Sequence, residues 1–217
     1  MGYFTINGYG EDKFEEKKSV FIGRSKRVHN EEEAKKFIEE VKSMEKEARH
    51  NVYAYIIGEN MGIQRYSDDG EPQGTGGVPV LDVIKKNEVK DIAVVVTRYF
   101  GGVLLGKGGL VRAYSKGASI SIKSAGIVEK VKGSPVEFTI DYDTLGKIQY
   151  SFEQNMWHIE NIEYTDKVKF KILCELNIIE KVENGVKEVT NGKYEIFVGD
   201  EDFYFKKENR LYEDTGN

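Results

Sequence analysis

The spacing of apolar positions changes several times along the chain, and each change predicts an element. Ala34, Phe37, Ile38, Val41 and Met44 recur at helical spacing with glutamates and lysines between them, and Asn30 with Glu33 makes a capping box in front. This predicts an amphipathic helix ending near Ala48, with its charges on a solvated face. Ahead of it, YFTIN and SVFIGRSKRV predict an opening hairpin, with the charged residues from Glu11 to Lys18 as its turn. Behind it, VYAYIIG and IQRYSD flank Asn60-Met61-Gly62, the pattern of a second hairpin. DIAVVVT is apolar without alternation, which predicts a strand covered on both faces. Helical spacing returns at Val80, Leu81 and Ile84, with Thr75 as N-cap. It returns again at Leu110, Ala113, Tyr114, Gly117, Ala118, Ile122 and Ala125, a stripe of mostly small residues suited to close packing on a sheet and closed by Gly126.

After Lys130 glycine thins out and the order of elements becomes strand, helix, strand, strand, helix, strand. VEFTIDY alternates as a strand, and Leu145, Ile148 and Phe152 mark a helix. WHIENIEY and VKFKILCE are strands around Thr165-Asp166. Asn177 and Glu180 repeat the capping box before Ile179, Val182, Val186 and Val189, and KYEIFVG closes the pattern. This βαββαβ order predicts a ferredoxin-like domain. Trp157 and Cys174 are expected in its core, His158 on its surface, and the polar tail KKENRLYEDTGN frayed. The fold class is therefore α+β in two domains, residues 1–132 and 133–217.

Composition narrows the classes. Charged residues make up 32% and hydrophobic ones 39% of the chain. That is an ordinary globular balance, and no apolar run is long enough for a membrane-spanning helix, so no membrane partner is expected. The opening MGYFTINGYGEDKF has no export pattern, and Ile6 stands where a myristoylation signal needs Ser or Thr. The one cysteine, Cys174, closes no internal disulfide, which predicts a cytoplasmic setting. With a net charge of −5, affinity for nucleic acid requires a local basic patch.

Candidate chemistry is concentrated between Tyr66 and Gly109. Asp68-Asp69-Gly70-Glu71-Pro72 crowds three carboxylates, which suits a hard cation or acid/base work, and its Asp-Gly and Pro equally suit a plain turn. Arg98 leaves the end of the apolar strand, followed by Tyr99-Phe100-Gly101-Gly102. Lys107, Arg112 and Lys116 lie at or near a helix start, where free N–H groups favour an anion. Gly101 to Lys107 matches G-x-x-x-x-G-K, yet Gly108 replaces the Ser or Thr that would hold magnesium, and Val103-Leu104-Leu105 fill the loop with apolar side chains. A P-loop is therefore rejected. Arg49 and His50, at a strand entry, reach a site or simply face solvent.

YSDDGEPQGTGGVPVLDVI together with VVVTRYFGGVLLGKGGLVRAYS closely resembles the signature of the IMPACT/YigZ family, and the resemblance covers residues from about 18 to 125. It implies a first domain similar to the βαβ fold, with a left-handed crossover, of a small-subunit ribosomal protein and elongation factor G. It also implies a second domain similar to the last domain of that factor. Eukaryotic relatives regulate translation by competing for an activator of an initiation-factor kinase. The family pattern falls on Arg49, His50, Asp68, Asp69, Glu71, Pro72, Thr75, Arg98, Gly101, Gly102, Gly106, Gly108 and Gly109. Asn51-Val52 stand where bacterial relatives commonly have His-Cys, which argues against a cysteine nucleophile or a His-Cys metal site. Val78 replaces a frequent lysine.

Two functions follow as expectations. The first is a cytoplasmic binding and regulatory protein contacting a translation factor, the ribosome or RNA through Arg49, His50, Asp68, Asp69, Glu71, Thr75, Arg98, Gly101, Gly102, Lys107, Gly108 and Arg112, with a small anion at the Lys107 helix start. The alternative is a hydrolase-like enzyme acting on a phosphate-bearing or peptide-like small molecule, with the acidic turn as acid/base or metal-ligand group and Arg98 on the anion. No nucleophile–base pair of recognised spacing is present, no cofactor is expected, and the sequence does not set the oligomeric state. Arg98 itself is expected half-buried near the acidic turn, with one side of its fork open.

Overall fold

The unalternating run DIAVVVT forms the middle of a five-stranded sheet. The computed structural model describes residues 2–214 and divides into two compact units, the first spanning Tyr3–Val128. Its elements are β1 (Tyr3–Ile6), β2 (Tyr9–Glu16), β3 (Ser19–Arg27), α1 (Glu31–Met44), β4 (His50–Ile57), β5 (Ile63–Ser67), α2 (Gly77–Lys86), β6 (Ile92–Tyr99) and α3 (Gly106–Ala125). The sheet order is β2-β3-β6-β4-β5, and every neighbouring pair is antiparallel. β3 and β4 therefore run parallel to each other on either side of β6, and α1 connects them as a crossover. This is the βαβ unit that the resemblance implies.

Alternation along β6 sends Val94 and Val96 to one face, with Val52, Ala54, Leu110, Tyr114 and Ile122, and sends Ala93 and Val95 to the other, with Phe37, Ile38 and Val41. Both faces are removed from water, so nothing in the sequence of β6 needs to alternate. Each of these fully buried large aliphatic side chains contributes about 1.5–3 kcal/mol. The small residues of α3 do what their pattern predicts. A Cβ on Gly23 of β3 would lie 2.0 Å from the Gly117 carbonyl oxygen, and one on Gly117 would lie 2.6 Å from Val96 Cγ1. Helix and sheet backbones touch there, which fixes where the start of α3 emerges.

Asn30 caps α1 as expected: its Oδ1 accepts from Glu33 N at 2.9 Å, while Glu33 reaches back to the His29 N–H. Two readings need correction. Met44, placed on the apolar stripe, is 64% exposed because the helix ends there, beyond the sheet it packs on. Glu11–Glu16 is not a turn but most of β2, an edge strand whose polar side chains face water; the turn is only Lys17-Lys18, both at positive φ, as a tight hairpin requires.

The second unit begins after Val128, within β7 (Ile127–Ile140), the strand that also holds residue 132. It continues through α4 (Leu145–Gln154), β8 (Ile159–Tyr164), β9 (Val168–Glu175), α5 (Ile179–Thr190), β10 (Tyr194–Val198), β11 (Asp202–Lys207) and β12 (Arg210–Tyr212). The antiparallel order β10-β7-β9-β8 is the ferredoxin-like arrangement. α4 and α5 close one face over Phe138, Phe170, Phe152 and Val186, with Phe152 edge-on to Trp157 at 5.2 Å. Cys174 is part of this core, and burial pushes its thiol up to about 12.

Here too two expectations fail. Leu176–Ile178 form a 3₁₀ turn leading into α5, so Ile178 rather than Asn177 occupies the cap position and no side chain caps it. The polar tail, as far as it is described, is not frayed: β11 and β12 extend the edge of β7 and bury Leu211. Its last three residues lie outside the described residues. No helix among the described residues is long and apolar enough to cross a membrane.

Candidate functional site

Between β5 and α2 the chain must turn sharply, and the three carboxylates of SDDGEP each hold one part of that turn. Asp68 accepts from Gly74 N at 2.9 Å through Oδ2, and from Gly76 N and Gly77 N at 2.9 and 2.8 Å through Oδ1. It therefore caps α2 from eight residues ahead of Gly76. Burial alone would raise its carboxyl pKa, but the three backbone N–H groups outweigh that and hold it below the usual carboxylate range. Thr75, expected to be this cap, is buried and donates its hydroxyl to the Pro72 carbonyl at 2.6 Å. Asp69 accepts from Asn51 N at 2.7 Å and so ties the turn to β4.

Glu71 turns inward. Its side chain is 4% exposed, and one oxygen, Oε1, accepts from Arg98 Nη1 at 2.6 Å and from the Tyr114 hydroxyl at 2.8 Å. Burial, with the Glu71 charge beside it, pushes the Tyr114 phenol far above its ordinary value, which keeps it a donor. Arg98 lies opposite Phe21 of β3 and His50 of β4 in the sheet register. Its guanidinium sits 5.6 Å from the Phe21 ring centre and 5.4 Å from that of Phe100. The expectation of a half-buried arginine is corrected: Arg98 is 5% exposed, because it stays on the sheet under those rings instead of leaving the strand end. The bond to Glu71 is the only side-chain hydrogen bond of Arg98 among the described residues, and the buried Nε has no partner.

His50 Nδ1 lies 2.8 Å from the Asp69 carbonyl oxygen. A carbonyl only accepts, so Nδ1 carries the proton, and in the neutral ring Nε2 is bare, 4.0 Å from Glu71 Oε1. His50, Glu71 and Arg98 line a cleft of about 490 Å³ with Arg49, Pro72, Phe100, Leu104, Leu105, Gly106, Lys107 and Leu110. At its mouth α3 starts without a side-chain cap.

Of the residues singled out in the sequence, the structure brings Arg49, His50, Glu71, Arg98 and Lys107 to this cleft. Asp68, Asp69 and Thr75 serve the turn behind it. Gly101 packs on β3, where a Cβ would lie 1.9 Å from the Lys18 carbonyl oxygen; Gly102 is at φ +83° and exposed. Gly108 and Arg112 lie on the outer side of the first turns of α3, Arg112 beside Lys17 and Lys116 in a neighbouring hollow. Sequence reasoning missed the apolar half of the cleft. Leu110 carried only a core signal, whereas Val103-Leu104-Leu105, an apolar run in a glycine-rich loop, was the available clue. Among the described residues no group of three or more His, Cys, Asp and Glu side chains is placed to hold a metal ion.

Comparison with known proteins identifies the lineage of both units. A family model described as the Impact N-terminal domain matches residues 17–122, and one described as a domain of unknown function (DUF1949) matches residues 138–193. IMPACT family member YvyE of Bacillus subtilis (strain 168) is 41% identical over 97% of this chain and 97% of its own. The chain belongs to the IMPACT family. IMPACT family member YigZ of Escherichia coli (strain K12) is 35% identical over 72% of this chain and 78% of its own. A protein IMPACT homolog of Dictyostelium discoideum is 42% identical over 42% of this chain and 27% of its own, a match confined to part of each. A solved structure described as that of an hypothetical protein superposes with a TM-score of 0.59, at 28% identity over 92% of this chain and 98% of that one.

Proposed function

We propose that this IMPACT family member is a cytoplasmic binding protein of the translation apparatus, and that it contacts RNA through the face where α3 begins. The observation that supports this reading is a cluster of cations at the start of α3. In the first unit Arg24, Lys26, Lys35, Lys42 and Arg65 are paired with carboxylates, while Lys85 and Lys86, at the end of α2, are in no ion pair among the described residues. Lys17, Arg49, Lys107, Arg112 and Lys116 cluster around the start of α3, and among the described residues none of them is in an ion pair. A chain with net charge −5 that gathers five cations here, against Glu16 in one hollow and the already paired Glu71 in the other, presents a local surface for phosphates.

The enzyme alternative has less behind it, because Asp68, Asp69 and Glu71 already accept from groups within the fold. The test is a titration of the full chain with ribosomal RNA at rising salt. Log affinity should fall linearly with log salt, each phosphate contact contributing a slope of about −0.7 to −0.9. Arg112→Glu with Lys116→Glu should weaken binding about tenfold or more, since each lost contact is worth about 1 kcal/mol, at an unchanged melting temperature. Salt-independent affinity, or binding only to a purified protein factor, would overturn the RNA reading.

A further inference from the structure

Buried donors in folded proteins are nearly always used, and Arg98 is an exception. A guanidinium has five N–H groups. Here Nη1 donates to Glu71 Oε1, Nε is fully buried without an acceptor, and the side chain of this 5%-exposed residue makes no other hydrogen bond among the described residues. Of the two unused nitrogens, Nε is shut in by the fold, and Nη2, which is not, is the donor left for an oxyanion in the cleft that Arg98 lines. The rings of Phe21 and Phe100 near the guanidinium supply no acceptor for it. Charge points the same way. Arg98 and Glu71 cancel as an ion pair, while Arg49 and Lys107 at the same cleft are in no ion pair among the described residues and the N-terminus of α3 opens on it without a cap. The remaining wall is apolar: Leu104, Leu105, Leu110 and Phe100. Leu104 is 82% exposed, an arrangement that a covering ligand would relieve.

We propose that this cleft is a binding site for a small organic oxyanion, a carboxylate or phosphate carried on an apolar body. Arg98 Nη2, Lys107 and the first turn of α3 take the oxyanion, and Leu104, Leu105 and Leu110 take the body. The volume of about 490 Å³ lies within the range of small-molecule sites. The site goes beyond the RNA-binding reading; it shares Arg49 and Lys107 with that face and is tested apart from it.

The experiment is a nitrogen-15 NMR titration of the full chain, without RNA, with octanoate, phenyl phosphate, inorganic phosphate and, as a control of opposite charge, octylamine. Octanoate or phenyl phosphate should bind saturably, moving the Arg98 Nε–H signal and the amides of Gly106 to Gly109, and the tighter of the two identifies the anion as carboxylate or phosphate. Inorganic phosphate should bind about tenfold more weakly, since it leaves the apolar wall uncovered, and octylamine should do nothing. Arg98→Lys keeps the charge opposite Glu71 but loses the fork, and should weaken binding about tenfold or more. Leu104→Asp changes an exposed residue and so leaves the fold intact; it should weaken binding to a similar extent. Shifts confined to exposed lysines with Arg98 Nε–H unmoved, equal affinity for inorganic phosphate and octanoate, or full affinity in Leu104→Asp would each overturn the proposal. RNA binding lost in Arg112→Glu/Lys116→Glu leaves this titration unchanged, so the two proposals fail separately.

Discussion

Glu71 and Arg98 show how much a single residue can carry here. With side chains 4% and 6% exposed, neither charge has water to fall back on. Truncating Arg98 to alanine strands the carboxylate of Glu71 with only the Tyr114 hydroxyl as donor. Arg98→Ala should therefore lower the unfolding free energy by about 3–5 kcal/mol, against about 0.5 kcal/mol for a surface arginine, as read by denaturant titration. Asp68 offers a test with a pH signature. Its folded pKa lies below that of the unfolded chain, so its contribution is fully present above pH of about 4 and is lost as pH falls through the folded value. Asp68→Asn should cost about 1–2 kcal/mol at pH 7. The gap between wild type and variant should narrow progressively as pH is lowered below about 4. A gap that stays constant would mean that the carboxylate's charge is not what holds the turn.

At the scale of the element, α3 separates glycines that the fold requires from one that it does not. Gly117 and Gly23 meet where backbones touch, but a Cβ on Gly108 would meet nothing nearer than Arg112 Nη1 at 3.7 Å, and its φ is not positive. Gly108→Ala should therefore raise stability by about 0.5–1 kcal/mol, seen as a higher melting temperature. Most helices and strands were legible because their apolar spacing agreed with their caps and turns, as at Asn30 and along α3. What escaped was what spacing cannot encode. β2 is polar because it is an edge, and Asp68 caps a helix from another turn of the chain. β12 has a single buried residue, Leu211, to announce it.

At the scale of the molecule, an acidic protein carries a cationic face, and screening length decides how far that face reaches. At physiological salt the Debye length is about 8 Å, so the overall charge of −5 has little effect on a phosphate already at the start of α3. The candidate site was only half legible in the sequence. The charged residues around Arg98 and Lys107 stand out by type, but that Arg98 is buried with its fork unspent depends on Phe21, Glu71 and Tyr114, each brought to it by a different element.

The position of β6 has a further consequence, for the order in which the first unit is made. Val20 pairs with Tyr99 and His50 with Arg98, so β3 and β4 have no partner on their inner edges until residue 99 has been synthesised. During synthesis two hairpins and α1 wait with a gap one strand wide between them, and the run that fills the gap is Val94-Val95-Val96, the stretch best able to pair with any free edge. Closing distant segments is slow compared with forming local ones, and exposed edges invite association in the interval. The strand that anchors the finished sheet is therefore also the point at which the nascent chain is most open to mispairing.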